Sequence, residues 1–145
     1  MVSGKRERPK VRMNQVSEGE AAIPFYVMRD HRSLEAWQEA RLVVLGTIQL
    51  SRVSWKPYAA ALFGQLQRAS LSVQLNIAEG YAYANSPSFT RHLAIAYGSA
   101  VETGELLEIA LDADVVLADV VRPLLARNQR SQRLLLGLLK WRRRQ

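Results

Sequence analysis

Residues 59–81 read Ala59-Ala-Ala-Leu-Phe-Gly-Gln-Leu-Gln-Arg-Ala-Ser-Leu-Ser-Val-Gln-Leu-Asn-Ile-Ala-Glu-Gly-Tyr81. Apolar or small side chains recur at Ala59, Leu62, Phe63, Leu66, Ala69, Ser70, Val73 and Ile77, the i, i+3, i+4, i+7 spacing that lines one face of an α-helix. The spacing predicts an amphipathic helix from about Tyr58 to Tyr81. Leu71 and Leu75 fall off that stripe. A second apolar edge needs something to pack on, either a widened core or another copy of the chain.

Upstream, Leu34, Trp37, Ala40, Val44, Ile48 and Ser51 follow helical spacing behind Ser33, a candidate N-cap. This first helix runs to about Ser54 and ends at Trp55-Lys-Pro57, because proline disfavours helix in the residue before it. Downstream, Gly80 to Ser86 is a turn, and Ser86-Pro87 places a capping residue and a first-turn proline in order. The third helix reaches about Ala113, with Phe89, Leu93, Ala96, Tyr97, Ala100, Leu107 and Leu111 facing inward. Gly98, Ser99, Ala100 and Gly104 are small enough to let another helix approach closely. The fourth runs from about Asp114 to Arg143, with Pro123 either kinking it or marking its true first turn. Leu117, Val121, Leu124 and Leu125 carry its apolar face, residues 127–133 read as polar all round, and Leu134 to Leu139 are again largely apolar. No segment alternates like a strand. Four helices joined by short loops imply an all-α fold, an antiparallel up-down four-helix bundle over residues 31–145. Residues 1–30 read as a flexible basic N-terminal arm, without periodicity and punctuated by Gly4, Pro9, Gly19 and Pro24.

The chain has 145 residues, enough for one domain with a substantial core. It has no cysteine, which excludes disulfides and thiolate metal sites. No apolar run approaches the roughly 18 residues of a membrane span, and no apolar stretch follows the basic N-terminus as in a signal peptide. These features point to a cytoplasmic protein. The net charge is +7, unevenly spread: +3 over residues 1–33, −4 over 34–121, and +8 over 122–145, which hold eight Lys/Arg and no acid. Single-sign clustering is the electrostatic footprint of a polyanion binder, and equally of a solvated, solubilising face. On the first reading Arg122, Arg127, Arg130, Arg133, Lys140, Arg142, Arg143 and Arg144 contact phosphates of RNA or DNA. Trp141 stacks on a base or caps the core.

Catalytic chemistry is not legible. There is no Glu-x-x-His for a carboxylate-bridged metal pair, so no metal or other cofactor is expected. Phosphate-binding glycine loops are missing, and nothing places a nucleophile beside a base. The protein is expected to be no enzyme. Glu102, Glu105 and Glu108 form a solvated helix face more simply than acid–base machinery. Arg68, Ser72, Asn76 and Glu79 lie near one stripe of the second helix, where Glu102 of the third can meet them. As a structural polar cluster, Arg68, Asn76, Glu79 and Glu102 would fix helix register, since buried charge must be paired. The competing reading is a binding site.

Two segments carry a resemblance. Gln65-Leu-Gln-Arg-Ala-Ser-Leu-Ser-Val-Gln-Leu-Asn-Ile-Ala-Glu-Gly80 and Phe89-Thr-Arg-His-Leu-Ala-Ile-Ala-Tyr-Gly-Ser-Ala-Val-Glu102 resemble the pattern Q-L-x-R-A-x-x-S-x-x-x-N-I-A-E-G followed by F-x-x-x-L-x-I-A-x-G-S-x-x-E. That pattern belongs to the bacterial four helix bundle protein family, encoded in ribosomal-RNA intervening sequences. Leu34, Trp37, Gln38 and Ala40 match its L-x-x-W-Q-x-A signature. The stretch before the second helix, Trp55-Lys-Pro-Tyr-Ala-Ala-Ala-Leu-Phe-Gly64, lacks the family's usual acid. Tyr81-Ala-Tyr-Ala84 lacks the arginine often found in the following turn. The resemblance implies an antiparallel bundle that assembles as a homopentamer and has no known catalytic activity. Relatives include the accessory variability proteins of diversity-generating retroelements, basic pentamers that bind reverse transcriptase and nucleic acid. The basic C-terminal segment makes this chain look similar to that branch. The alternative is a scaffold acting through protein–protein contacts alone.

Overall fold

A computed structural model describes residues 30–84 and 86–145. The basic arm expected over residues 1–30 lies, Asp30 apart, outside them. Four helices make up the fold: α1 (Glu35–Ser54), α2 (Ala60–Ala82), α3 (Pro87–Asp112) and α4 (Ala118–Arg142). Among the described residues there is no strand. Short 3-10 turns at His31–Ser33 and Pro57–Ala59 lead into α1 and α2.

The helix ends show what the local sequence does. Ser33 does not cap α1. Its Oγ donates to the Asp30 carbonyl at 2.8 Å inside the 3-10 turn, and Leu34 takes the N-cap position without a side-chain bond. Lys56, before Pro57, is extended at φ −134° and ψ 145°, as steric exclusion by the proline ring requires. Ser86 and Pro87 open α3 in the expected positions, but the Ser86 Oγ donates backward to the Tyr83 carbonyl at 2.9 Å. The start of α4 differs from expectation by four residues. Asp114 adopts φ 55°, a left-handed conformation that Asp tolerates better than most residues and that a helix cannot pass through. The Val115 amide then donates to the Ala110 carbonyl at 3.0 Å, closing α3. Leu117, expected in the core, is the exposed N-cap of α4, and Pro123 stands inside the helix rather than opening it.

Each helix packs on the next, and α4 returns to α1, so the four enclose one core. Antiparallel order is visible in the pairs that join them. Gln65 meets Glu102, Ser72 meets Ser99, and Asn76 meets His92: as α2 advances, α3 recedes. Glu39 meets Arg127 and Glu35 meets Arg130 in the same sense between α1 and α4.

The core has two apolar compartments. One gathers Ala36, Ala40, Val73, Ile77, Tyr81, Phe89, Leu93, Ala96, Leu135 and Leu139. The other gathers Leu50, Phe63, Leu66, Leu107, Ala110, Val116 and Val121. Between them, every helix contributes buried polar side chains: Thr47, Ser70, Thr103, Asn128 and Ser131. Thr47 and Ser70 share a 2.9 Å hydroxyl–hydroxyl bond across α1 and α2. Asn128 donates to the Ala100 carbonyl at 2.9 Å, beside Gly104, where an added Cβ would stand 3.1 Å from the Asn128 amide nitrogen. Gln132 reaches the same carbonyl at 3.2 Å. Residues 127–133 are therefore not polar toward solvent all round. The face holding Asn128 and Ser131 is buried, and this corrects the sequence expectation. Ile48, expected inside, is on the surface because the buried stripe of α1 runs instead through Val43, Val44, Thr47 and Leu50.

Asn128 and Ser131 make opposite predictions in chemical denaturation. Asn128→Ala leaves the interhelical carbonyl bond half made and is expected to cost about 1–3 kcal/mol. Ser131 Oγ has no hydrogen-bond partner among the described residues, so Ser131→Ala is expected to stay within about 1 kcal/mol of the parent or exceed it.

Candidate nucleic-acid interface

The eight C-terminal cations and Trp141 do not form one patch. At about 1.5 Å rise per residue, Arg122 lies roughly 30 Å along α4 from Arg142, at the opposite end of the bundle. Arg127 and Arg130 are engaged. Arg127 Nη1 donates to Glu39 Oε2 at 2.9 Å, Arg130 pairs with Glu35, and Arg130 Nε lies 3.4 Å from Glu39 Oε1. The hydrogen bond and charge of Glu35 raise the Arg130 pKa further above its ordinary value. These two guanidinium groups stitch α4 to α1. Arg133 and Lys140 are exposed and share the outward row of α4 with Arg122, at i, i+11 and i+18. Trp141 is half-buried against the apolar compartment that also holds Leu34 and Trp37. The Arg142 guanidinium sits over the Phe89 ring at 5.4 Å, and Arg143 and Arg144 are exposed. Among the described residues, no acid lies within ion-pair distance of Arg122, Arg133, Lys140, Arg142, Arg143 or Arg144.

Up-down topology gathers groups that are far apart in sequence. The start of α1, the end of α2, the start of α3 and the end of α4 share one end of the bundle. With the buried polar layer as the divide, that half (residues 30–46, 71–102 and 129–145) carries nine Lys/Arg and five Asp/Glu. The other half, residues 47–70 and 103–128, carries five of each. Two of the five acids in the basic half, Glu35 and Glu39, are held by arginines of α4. Residues 1–29, with six Lys/Arg and three Asp/Glu, join the chain at the same end. Aromatic rings accompany the cations. Trp37 has Arg41 over it at 5.6 Å and the His31 ring edge-on at 5.4 Å. Tyr81 packs edge-to-face on Phe89 at 5.3 Å, and burial pushes its phenol up to about 12, so it stays neutral. Tyr83 stacks on His92 at 5.8 Å with an interplanar angle of 11°. Sequence reasoning missed Arg41, Tyr83 and His92. The signal for them lay in the bundle topology, since antiparallel helices bring these termini beside the end of α4.

The expected polar set between α2 and α3 falls into two separate groups, with links other than those expected. Glu102 accepts from Gln65 Nε2 at 2.6 Å, and Gln65 Oε1 accepts from Arg68 at 3.0 Å, so Gln65 bridges the two charges. Ser72 and Ser99 share a 2.8 Å bond, Asn76 donates to the Ser72 carbonyl at 2.8 Å, and Asn76 Oδ1 lies 2.9 Å from His92 Nδ1. Glu79 approaches the same histidine nitrogen at 3.7 Å. Arg68, Glu79 and Glu102 are all exposed, so the expectation of a cluster built on buried, paired charge does not hold for them, and the part-buried links are those of Ser72, Ser99, Asn76 and His92. Among the described residues no group of three or more His, Asp or Glu could hold a metal ion, and no helix is long and apolar enough to cross a membrane.

The family model described as 23S rRNA-intervening sequence protein matches residues 32–137, from the turn before α1 to near the end of α4. No curated protein matches the chain.

The α1–α4 stitch is testable by a double-mutant cycle on Glu39→Gln and Arg127→Met. The pair is partly exposed, so a coupling of about 0.3–1 kcal/mol is expected, shrinking as salt is raised.

Proposed function

The chain belongs to the 23S rRNA-intervening sequence protein family, and on that premise we propose that it is a non-enzymatic, homo-oligomeric accessory protein that binds nucleic acid in the cytoplasm without a membrane. The observation that carries this reading is the excess of cations at one end of the bundle, where Lys140, Arg142, Arg143 and Arg144 meet the junction with residues 1–29. Cations without acid partners attract phosphate and release its condensed counterions, whatever the sequence of the nucleic acid. Arg133 adds an exposed cation farther back along α4, while Arg122 stands apart at the far end. Arg127 and Arg130 are engaged by Glu39 and Glu35 and serve to hold α1. Trp141 supports the end from within.

The second apolar edge supports assembly. Leu71 and Leu75 are exposed on α2, and Leu42 and Leu45 on α1. Copies joined through such faces would repeat the basic end around a ring, and repetition turns weak contacts into avidity. The family resemblance favours a pentamer. It also favours a place beside the reverse transcriptase of a diversity-generating retroelement, with the basic end on the RNA. The second reading, a scaffold acting through protein contacts, draws on the groove between α1 and α4 lined by Leu42, Gly46, Leu50, Val53, Val120 and Leu124. Its mark would be capture of the enzyme partner that survives nuclease and high salt.

Titrating labelled RNA between about 50 and 300 mM salt tests the first reading. Replacing Arg142, Arg143 and Arg144 together by Ala is expected to weaken binding and lower the slope of log K against log[salt] by about 2 for a single strand. Binding that does not change across that salt range rules the reading out. For assembly, the solution mass is expected to be a multiple of 16.3 kDa, and Leu71→Glu with Leu75→Glu to lower it toward that of one chain.

A further inference from the structure

Tyr83 closes α2 at the basic end and is 54% exposed. One of its faces rests on His92 in a nearly parallel stack. His92 is itself held: its Nδ1 is 2.9 Å from Asn76 Oδ1 and 3.7 Å from Glu79 Oε2, and Asn76 is tied to Ser72. The tyrosine ring is thus backed by a fixed partner and oriented before anything binds. The packing of His92 against Gly80 is tight. A Cβ on Gly80 would stand 3.1 Å from His92 Cβ and 3.4 Å from Phe89 Cδ2, and Phe89 carries the Arg142 guanidinium over its ring. An exposed tyrosine stacked on His92 and an arginine without an acid partner therefore both adjoin the Phe89–Gly80–His92 contact. Arg91, also exposed, precedes His92.

A ring prepared on one face is a platform for a planar group on the other. Phosphate contacts alone do not distinguish a duplex from a single strand, but a stacking platform does. Bases in a duplex have both faces covered by their neighbours, whereas an unpaired base can continue an aromatic stack. We propose that the basic end of the bundle is a single-strand site in which an unpaired base stacks on Tyr83 while Arg142, Arg143 and Arg144 hold the flanking phosphates. This rests on the nucleic-acid reading above and adds the form of the ligand and the residue that selects it. His92 acts as a positioning residue, setting the plane of the platform.

The test measures fluorescence anisotropy of the full chain with an unstructured oligouridine and with an RNA duplex of equal length at one salt concentration. Tyr83→Ala is expected to weaken oligouridine binding about 5- to 100-fold, from the loss of one base stack. Duplex binding should change less than about twofold, since its phosphate contacts are untouched. Tyr83→Phe keeps the ring and should restore single-strand binding, which separates stacking from the hydroxyl. Thermal melts of each variant establish that the exposed substitution leaves the bundle folded. If Tyr83→Ala weakens neither ligand, or both alike, while salt-sensitive binding persists, the single-strand site is wrong and the nucleic-acid reading stands. If the parent binds neither ligand in a salt-sensitive way, both fall together.

Discussion

The constraint on which this structure depends is the layer of buried hydroxyl and amide groups across the middle of the core. Thr47, Ser70, Thr103, Asn128 and Ser131 come from all four helices and separate two apolar compartments. A uniformly apolar bundle tolerates sliding, because leucine packs acceptably on leucine at several heights. Here a shift of one helix by one turn, about 5.4 Å, would carry Thr47 away from Ser70, or Asn128 away from the Ala100 carbonyl, into a leucine-rich region. Each buried polar group stranded in that way costs about 1–3 kcal/mol, a large share of the 5–15 kcal/mol that holds a domain folded. The layer thus selects one register and rejects its neighbours.

Register in turn decides the surface. With the helices fixed in height, α2 and α3 meet through Gln65 and Glu102 at one level and through Ser72, Ser99, Asn76 and His92 at another, and Tyr83 stacks on that histidine. On the opposite side, α4 serves two ends with one run of arginines. Arg127 and Arg130 face Glu39 and Glu35 and secure the helix to α1. Arg133, Lys140 and Arg142 to Arg144 have no acid partner among the described residues. The division follows from helical geometry. Residues at 127 and 130 project toward α1, while 133 and 140 turn outward along the row begun by Arg122.

Much of this was legible beforehand. The apolar spacing of Ala59 to Ile77 is compatible with little besides a helix, and Pro57 and Ser86-Pro87 mark the adjoining boundaries, so the all-α bundle follows from local rules. The fourth helix was harder to read. Asp114 continues a helical pattern on paper, and only its left-handed backbone in the folded chain shows that α3 stops there. Asn128 and Ser131 looked like part of a solvated stretch because a polar residue carries no local mark of burial. The partner of Asn128, a carbonyl of α3, and the packing that buries Ser131 exist only after the helices assemble.

The candidate site divides in the same way. Composition alone determined that cations accumulate after Val121 and that neither thiol chemistry nor a recognisable catalytic constellation accompanies them. Periodicity determined the four helices. Tertiary structure decided which of those cations are engaged, and it brought Trp37, Arg41, Tyr83 and His92 to the same end of the bundle. The physical reason is range. Helix propensity and amphipathic spacing act over a few residues and leave their trace in the sequence. Ion pairs such as Glu39 with Arg127 and stacks such as Tyr83 on His92 depend on distance in space, which antiparallel packing sets and linear order does not record.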